Sequence, residues 1–381
     1  MSTSKHIPAL DGFRGLAVLA VFLLHYGGGA HAQNPLFRTF GYLCRVGWAG
    51  VSLFFVLSGF LITGILWDSH GEPGWRGRFY SRRVLRIFPL YYLTLFAVLV
   101  AAFYVREGLF CLSHLWVLAL YLQNVPVLAG PGTANGSPLW TVHLWSLAVE
   151  EQFYLLWPLL LSRLTSLRQA RLLCIAVFAF STLTRLDIYL HGNQNLWVSV
   201  FDRSGELAFG GYLAICYRSP LWSRIQRLAP AIFVLALLGF IVLSHHAGEL
   251  LLTNALQRFL GIFLMTFIGG SLLVLALTRA PLRRLFETRW LRWYGTISYG
   301  FYIVHVLYPF LFVRLATSLL PHGSRTAQLA LSSLFALLLS TLAASLSFRF
   351  FETPFLNLRK RFRNPQPPAG HLVPATAIHI D

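Results

Sequence analysis

Arg14 and His25 lie eleven positions apart within one apolar stretch, Ile7 to Tyr26. At ~100° per residue, eleven steps return nearly to the starting direction, so both side chains leave the same face of a helix. A rise of 1.5 Å per residue puts them roughly 16–17 Å apart along the axis, about half the hydrocarbon core of a bilayer. Ionisable groups at that depth are costly and usually face a protein interior or a wet cavity. One helix therefore offers a cation near one membrane surface and an imidazole deep in the other half. That geometry suits a reaction whose reagent enters from one side, with His25 as its base.

Other constellations could complete such a site. Asp11 sits at i, i+3 to Arg14, where it either pairs with the guanidinium or contacts substrate. Arg82-Arg83-Val84-Leu85-Arg86 follows Arg76 and Arg78. Arg83 and Arg86 share a helical face and could clamp a phosphate bidentately, although such charge is also ordinary at the cytoplasmic end of a span. Ser146 and Glu150 share a face at i, i+4, with Glu151 turned ~100° away. A carboxylate beside a histidine fixes its tautomer and stabilises the imidazolium, so Glu150 or Glu151 is expected to orient His25. Tyr302 and His305 share a face of a late span, for packing or for acceptor binding. Arg185, Asp187, Arg203 and Glu206 either bind a polar substrate or pair among themselves. Arg349 and Glu352 read as structural.

These residues need helices in a membrane to position them. Of 381 residues, 56% are hydrophobic and only 12% charged, with a mean hydropathy of +0.62. An all-α polytopic membrane protein follows. The net charge of +18 does not indicate nucleic acid, because the basic residues punctuate apolar segments and form no continuous stripe. Cys44, Cys111, Cys174 and Cys216 show no metal-ligand spacing, and no metal is expected. A disulfide between Cys44 and Cys111, both near the outer face, is the minor reading.

Ten spans are expected, near 8–27, 46–67, 87–105, 141–163, 171–190, 203–217, 229–246, 257–278, 293–315 and 326–350. With both termini cytoplasmic, only Arg38, Arg45, Arg106, Arg185, Arg203, Arg258, Arg314 and Arg325 fall outside, which is the positive-inside bias. An eleventh span at 114–128 would invert every later loop, so that stretch reads as an outer or re-entrant element covered by protein. Gly130 to Pro138 reads as a turn-rich outer loop. The amino terminus imitates a secretory signal, with Ala30-His31-Ala32 as a cleavage site. Retention is expected, because a dispensable signal has no use for a buried histidine. Residues 1–354 form one membrane domain, and 355–381 a basic, then Pro-rich cytoplasmic tail expected to be disordered.

Together these motifs resemble the acyltransferase-3 family of integral membrane O-acyltransferases, from Leu10-Asp11-Gly12-Phe13-Arg14-Gly15 to Phe351-Glu352-Thr353-Pro354. Arg14 and His25 match its Arg-x10-His signature, Arg83 and Arg86 its Arg-x-x-Arg, and Ser146 and Glu150 its Ser-x-x-x-Glu. Ile297-Ser298-Tyr299-Gly300 with His305 is similar to its late motif. The resemblance implies transfer of an acyl group, most often acetyl, from cytoplasmic acetyl-CoA to a hydroxyl of a cell-surface glycan or lipid-linked sugar. It implies a bacterial inner membrane and, for any second step, a separate extracytoplasmic transferase. On this reading Arg83 and Arg86, with Arg82, hold CoA phosphates, Arg14 guides the pantetheine arm, and His25 accepts the acceptor's proton. Asp11, Ser146, Arg203, Glu206, Tyr302 and His305 are the expected acceptor contacts. The rival class is a secondary transporter or flippase, since buried His, Glu and Arg also serve proton relays. No Walker A sequence is present.

Overall fold

The computed structural model describes residues 6–28, 34–104, 115–125, 128, 141–192 and 198–359, and the described residues are helices joined by turns. Helix α1 (Pro8–Tyr26) begins on Pro8, whose missing N–H costs nothing in a first turn. After α2 (Pro35–Cys44), capped by the Asn34 side chain, a 3-10 turn (Arg45–Trp48) leads into α3 (Ala49–Asp68). Then come α4 (Trp75–Tyr104), α5 (Trp145–Leu161), α6 (Leu167–His191) and α7 (Val200–Tyr217). Helix α8 (Trp222–Ala247) precedes a π turn (Gln257–Gly261) that opens α9 (Ile262–Thr278). Short α10 (Ala280–Phe286) is followed by α11 (Arg289–Val304), α12 (Pro309–Leu319) and α13 (Arg325–Leu346).

Among the described residues, seven helical runs are long and apolar enough to cross a membrane, and the pair α11–α12, bent by 90°, makes an eighth. Helices α5 and α7 fall short for a physical reason. The first has 17 residues, and the second carries Asp202, Arg203 and Glu206 within 18. Such polar helices are tolerated where other helices wrap them, and most of α7 is buried.

Close backbone approach sets the centre of the bundle. A Cβ on Gly295 of α11 would lie 1.9 Å from the Asp11 carbonyl of α1, and one on Gly210 of α7 would lie 1.9 Å from the Val56 carbonyl of α3. Small residues allow such contact between membrane helices, where dispersion rather than the hydrophobic effect drives packing. Helix α1 is thereby pressed into the middle, with Phe13 and Ala17 fully buried beside Val56 and Phe60.

In the stretch expected to lie on the outer face, residues 115–119 are helical and turns follow, with Tyr121 at φ +55°. Protein supplies partners for several of its polar groups, while Tyr121 Oη and Gln123 Oε1 are buried without one. Tyr91 Oη donates to the Leu118 carbonyl (2.8 Å), Gln123 Nε2 to the Leu144 carbonyl (2.9 Å) and Gln152 Nε2 to the Tyr121 carbonyl (2.8 Å). The expected Gly130–Pro138 loop and Cys111 lie outside the described residues, while Cys44 is buried. One expectation is corrected at the other end. Helix α13 continues through a π turn (Ser347–Glu352) into α14 (Thr353–Arg359), so residues 355–359 are helical. Pro354 falls in the first turn of α14, where it is tolerated, and Thr353 Oγ1 donates to the Phe348 carbonyl (2.6 Å) across the join.

Candidate active site

Helices α1, α3, α4, α5 and α11 enclose a cavity of about 860 Å³, its mouth included. One end is basic. Arg14 from α1 meets Arg83 and Arg86 from α4, all three within electrostatic range of one another. Asp11 stays outside the lining, where it steers the first of them: Asp11 Oδ1 lies 3.6 Å from Arg14 Nη1, and its other oxygen is 2.7 Å from His6 Nε2. Arg83 lies over the Tyr154 ring, 5.1 Å from its centroid. Among the described residues, neither Arg83 nor Arg86 forms an ion pair with a carboxylate. This end therefore gathers three guanidinium groups, with Glu150 and Glu151 within electrostatic range of Arg83 but in ion-pair contact with none of them. Arg82 does not line the cavity, and its Nη2 is buried without a hydrogen-bond partner.

The middle of the cavity is apolar apart from one polar chain. Val18 and Val21 of α1 face Phe55, Leu57 and Leu61 of α3. Across them, Tyr154 Oη donates to Glu150 Oε1 (2.9 Å), and the Ser58 hydroxyl bonds Tyr154. Ser146, Glu150 and Tyr154 are spaced by four, so α5 aims all three inward. Glu151 is on the neighbouring face, outside the lining, with Oε1 buried and without a hydrogen-bond partner.

At the far end Ser146 and Tyr302 close the lining, their hydroxyls 2.6 Å apart. Tyr302 Oη donates its proton to the His143 carbonyl (2.7 Å), so Ser146 is the donor to Tyr302. Val21 and Tyr302 precede His25 and His305 by about one turn, which places the two imidazoles roughly 5 Å beyond this end. His305 Nε2 is 3.1 Å from His25 Nδ1, and the His143 ring stands 5.5 Å from that of His305. His25 is exposed, while His305 is fully buried.

The structure thus brings together Arg14, Arg83, Arg86, Ser146, Glu150 and Tyr302 around one space, with His25 and His305 at its far end. Among the described residues, it does not pair His25 with a carboxylate. Helix α5 begins at Trp145 after a 3-10 turn (Val142–Leu144), so it is His143 that stands level with His305. Glu150 is nearly two turns deeper than His143, roughly 10–12 Å further along the axis. Arg203 and Glu206 are elsewhere. Their side chains are 2% and 0% exposed and pair at 3.1 Å (Nε–Oε2), beside a second pair, Arg185 Nε to Asp202 Oδ1 at 2.9 Å. The Arg203 guanidinium lies over Phe55 and Trp145, 5.5 Å from each ring, and so backs the cavity wall without lining it. Asp187 pairs with exposed His191.

Sequence reasoning passed over Tyr154, Ser58 and His143. Tyr154 was the most accessible of these, continuing the four-residue spacing of Ser146 and Glu150. Ser58 and His143 carry no local signal, because their partners are more than ninety residues away.

A polytopic helical membrane protein with a positively charged cavity end and an imidazole pair at the opposite end is the class these features define. The chain belongs to the acyltransferase-3 family, whose model, described as an acyltransferase domain, matches residues 7–350. It is similar to the peptidoglycan O-acetyltransferase OatA of Listeria monocytogenes, with 30% identity across 94% of this chain and 58% of that protein. The putative peptidoglycan O-acetyltransferase YrhL of Bacillus subtilis is 29% identical over 92% of this chain and 55% of its own length. The O-acetyltransferase OatA of Staphylococcus aureus is 25% identical over 93% and 58%. The chain thus spans a little over half the length of these relatives. No solved structure matches it.

Proposed function

We propose that this protein is an O-acyltransferase of the bacterial inner membrane, crossing it ten times with both termini cytoplasmic. It moves an acyl group, acetyl in the first instance, from cytoplasmic acyl-CoA to a hydroxyl of a cell-envelope glycan. The observation that carries this reading is the cluster of Arg14, Arg83 and Arg86 at one end of a cavity with a largely apolar wall, where among the described residues neither Arg83 nor Arg86 is ion-paired with a carboxylate. Guanidinium groups suit the phosphates of CoA, and the apolar wall of Val18, Val21, Phe55 and Leu57 suits the pantetheine arm. The acceptor class rests on the peptidoglycan O-acetyltransferases it resembles.

In the reaction the acceptor oxygen attacks the thioester carbonyl while His25 takes its proton. The new C–O bond forms, the C–S bond breaks, and the proton passes to the departing CoA thiolate. Exposed His25 stands where an acceptor from the far side can reach it, beyond the end closed by Ser146 and Tyr302. The test compares acetyl esters on envelope glycans, by NMR, in a deletion strain complemented with wild type or His25→Ala. Esters lost on deletion and restored only by wild type are expected. Full restoration by His25→Ala would sink the mechanism, and solute flux without CoA dependence would favour a transporter.

A further inference from the structure

We propose that His305 is the positioning residue that sets the tautomer of His25, leaving His25 Nε2 as the proton-accepting atom. The inference rests on the reading of His25 as the base. It starts from a carbonyl. His305 Nδ1 is 2.8 Å from the backbone oxygen of Tyr302, which can only accept, so Nδ1 carries the proton. A neutral imidazole has one N–H, so His305 Nε2 presents a lone pair. That lone pair faces His25 Nδ1 at 3.1 Å. Two lone pairs at this distance repel, whereas an Nδ1–H on His25 makes a hydrogen bond. His25 is thereby fixed as the Nδ1–H tautomer with Nε2 free.

The surroundings hold this arrangement in place. His305 is fully buried, with its ring stacked on Phe301 at 7° between planes, so water does not supply an alternative partner. Tyr302, which provides the carbonyl, is itself anchored through its hydroxyl to Ser146 and the His143 backbone. The titratable groups facing the pair are His143, Tyr26 and Tyr302. Among the described residues no carboxylate forms an ion pair with either ring, so nothing near them calls for an imidazolium. His143 is oriented away from the chain, its Nε2 donating to the Ile303 carbonyl at 3.1 Å. The Val21 carbonyl, one turn back on α1, is the competing acceptor for the His25 ring.

The experiment is 15N NMR of the full chain, labelled at histidine and held in lipid nanodiscs, with His25 assigned by difference against His25→Gln. Wild type is expected to show His25 protonated at Nδ1 and bare at Nε2. His305→Phe, which keeps a stacked ring without nitrogens, is expected to move His25 toward the Nε2–H form. The same substitution should lower kcat roughly 10–100-fold with KM within about twofold. His305→Gln, whose side-chain oxygen can accept from His25, should recover about tenfold of that loss. A wild-type His25 protonated at Nε2 overturns the proposal, as does a tautomer unchanged in His305→Phe, which would assign the role to Val21. Absence of transferase activity in wild type with the expected tautomer would defeat the proposed function and with it the role of Nε2 as base, leaving only the control of the His25 tautomer by His305.

Discussion

His25 and His305, 280 positions apart in the chain, meet nitrogen to nitrogen at 3.1 Å. The contact joins α1 to the end of α11, the same two helices that Gly295 brings into backbone contact roughly three to four turns away. Orientation of the base therefore comes from a second imidazole held by a backbone carbonyl. Glu150 is left free for another duty, as the acceptor of a tyrosine hydroxyl beside the arginine cluster.

The arginines make the first prediction. Hydrogen bonds to charged groups contribute about 1.5–3 kcal/mol, so Arg83→Gln and Arg86→Gln should each weaken CoA binding roughly tenfold or more. Arg82→Gln, outside the lining, should change it less than about twofold. Titration of CoA into purified protein at fixed salt checks this. Equal losses at all three positions would mean that general basic charge, rather than the cavity, recruits the donor.

Tyr154 makes the second. Its hydroxyl bonds Glu150 Oε1 and Ser58, and its ring carries Arg83. Tyr154→Phe keeps the ring and deletes the hydroxyl, leaving a buried carboxylate short of a donor. A cost of about 1–3 kcal/mol is expected, read as a lowered unfolding midpoint in detergent. Tyr154→Leu should in addition weaken CoA binding, because Arg83 then loses its platform.

Helix α1 makes the third. Phe13 and Ala17 are fully buried, and Gly12 and Gly15 abut the Phe286 and Leu291 carbonyls. Removal of the first thirty or so residues would empty the centre of the bundle. Intact mass of the purified protein should show α1 retained, and a mass corresponding to cleavage after Ala32 would contradict it.

Much of this was legible in the sequence because membrane helices obey few rules. Apolar length marked the helices, and the turn-by-turn spacing of Arg14, Arg83, Arg86, Ser146 and Glu150 marked the faces that enclose the cavity. What could not be read was depth across helices. Helical period says which side chains share a face, but not that α5 enters late enough to place His143, and not Glu150, beside His305. The same limit hid the fate of Arg203 and Glu206. Polar residues in a short span announce that something must satisfy them, and substrate and mutual pairing satisfy that demand equally until the neighbouring helix is placed.

That pairing makes the last prediction. Arg203 and Glu206 are withdrawn from solvent, ion-paired with one another, and flanked by the Arg185–Asp202 pair. Removing one partner strands a buried charge, so Arg203→Ala or Glu206→Ala should cost about 3–5 kcal/mol and appear as poor yield or a lowered unfolding midpoint. Replacing both with apolar residues of similar volume, Arg203→Met with Glu206→Leu, should recover most of that loss, since such exchanges are often neutral. The double variant should also keep the acceptor KM within about twofold of wild type. A stable double variant with acceptor KM raised tenfold would return Arg203 and Glu206 to the substrate, and would mean that the cavity extends past Phe55 and Trp145 during turnover.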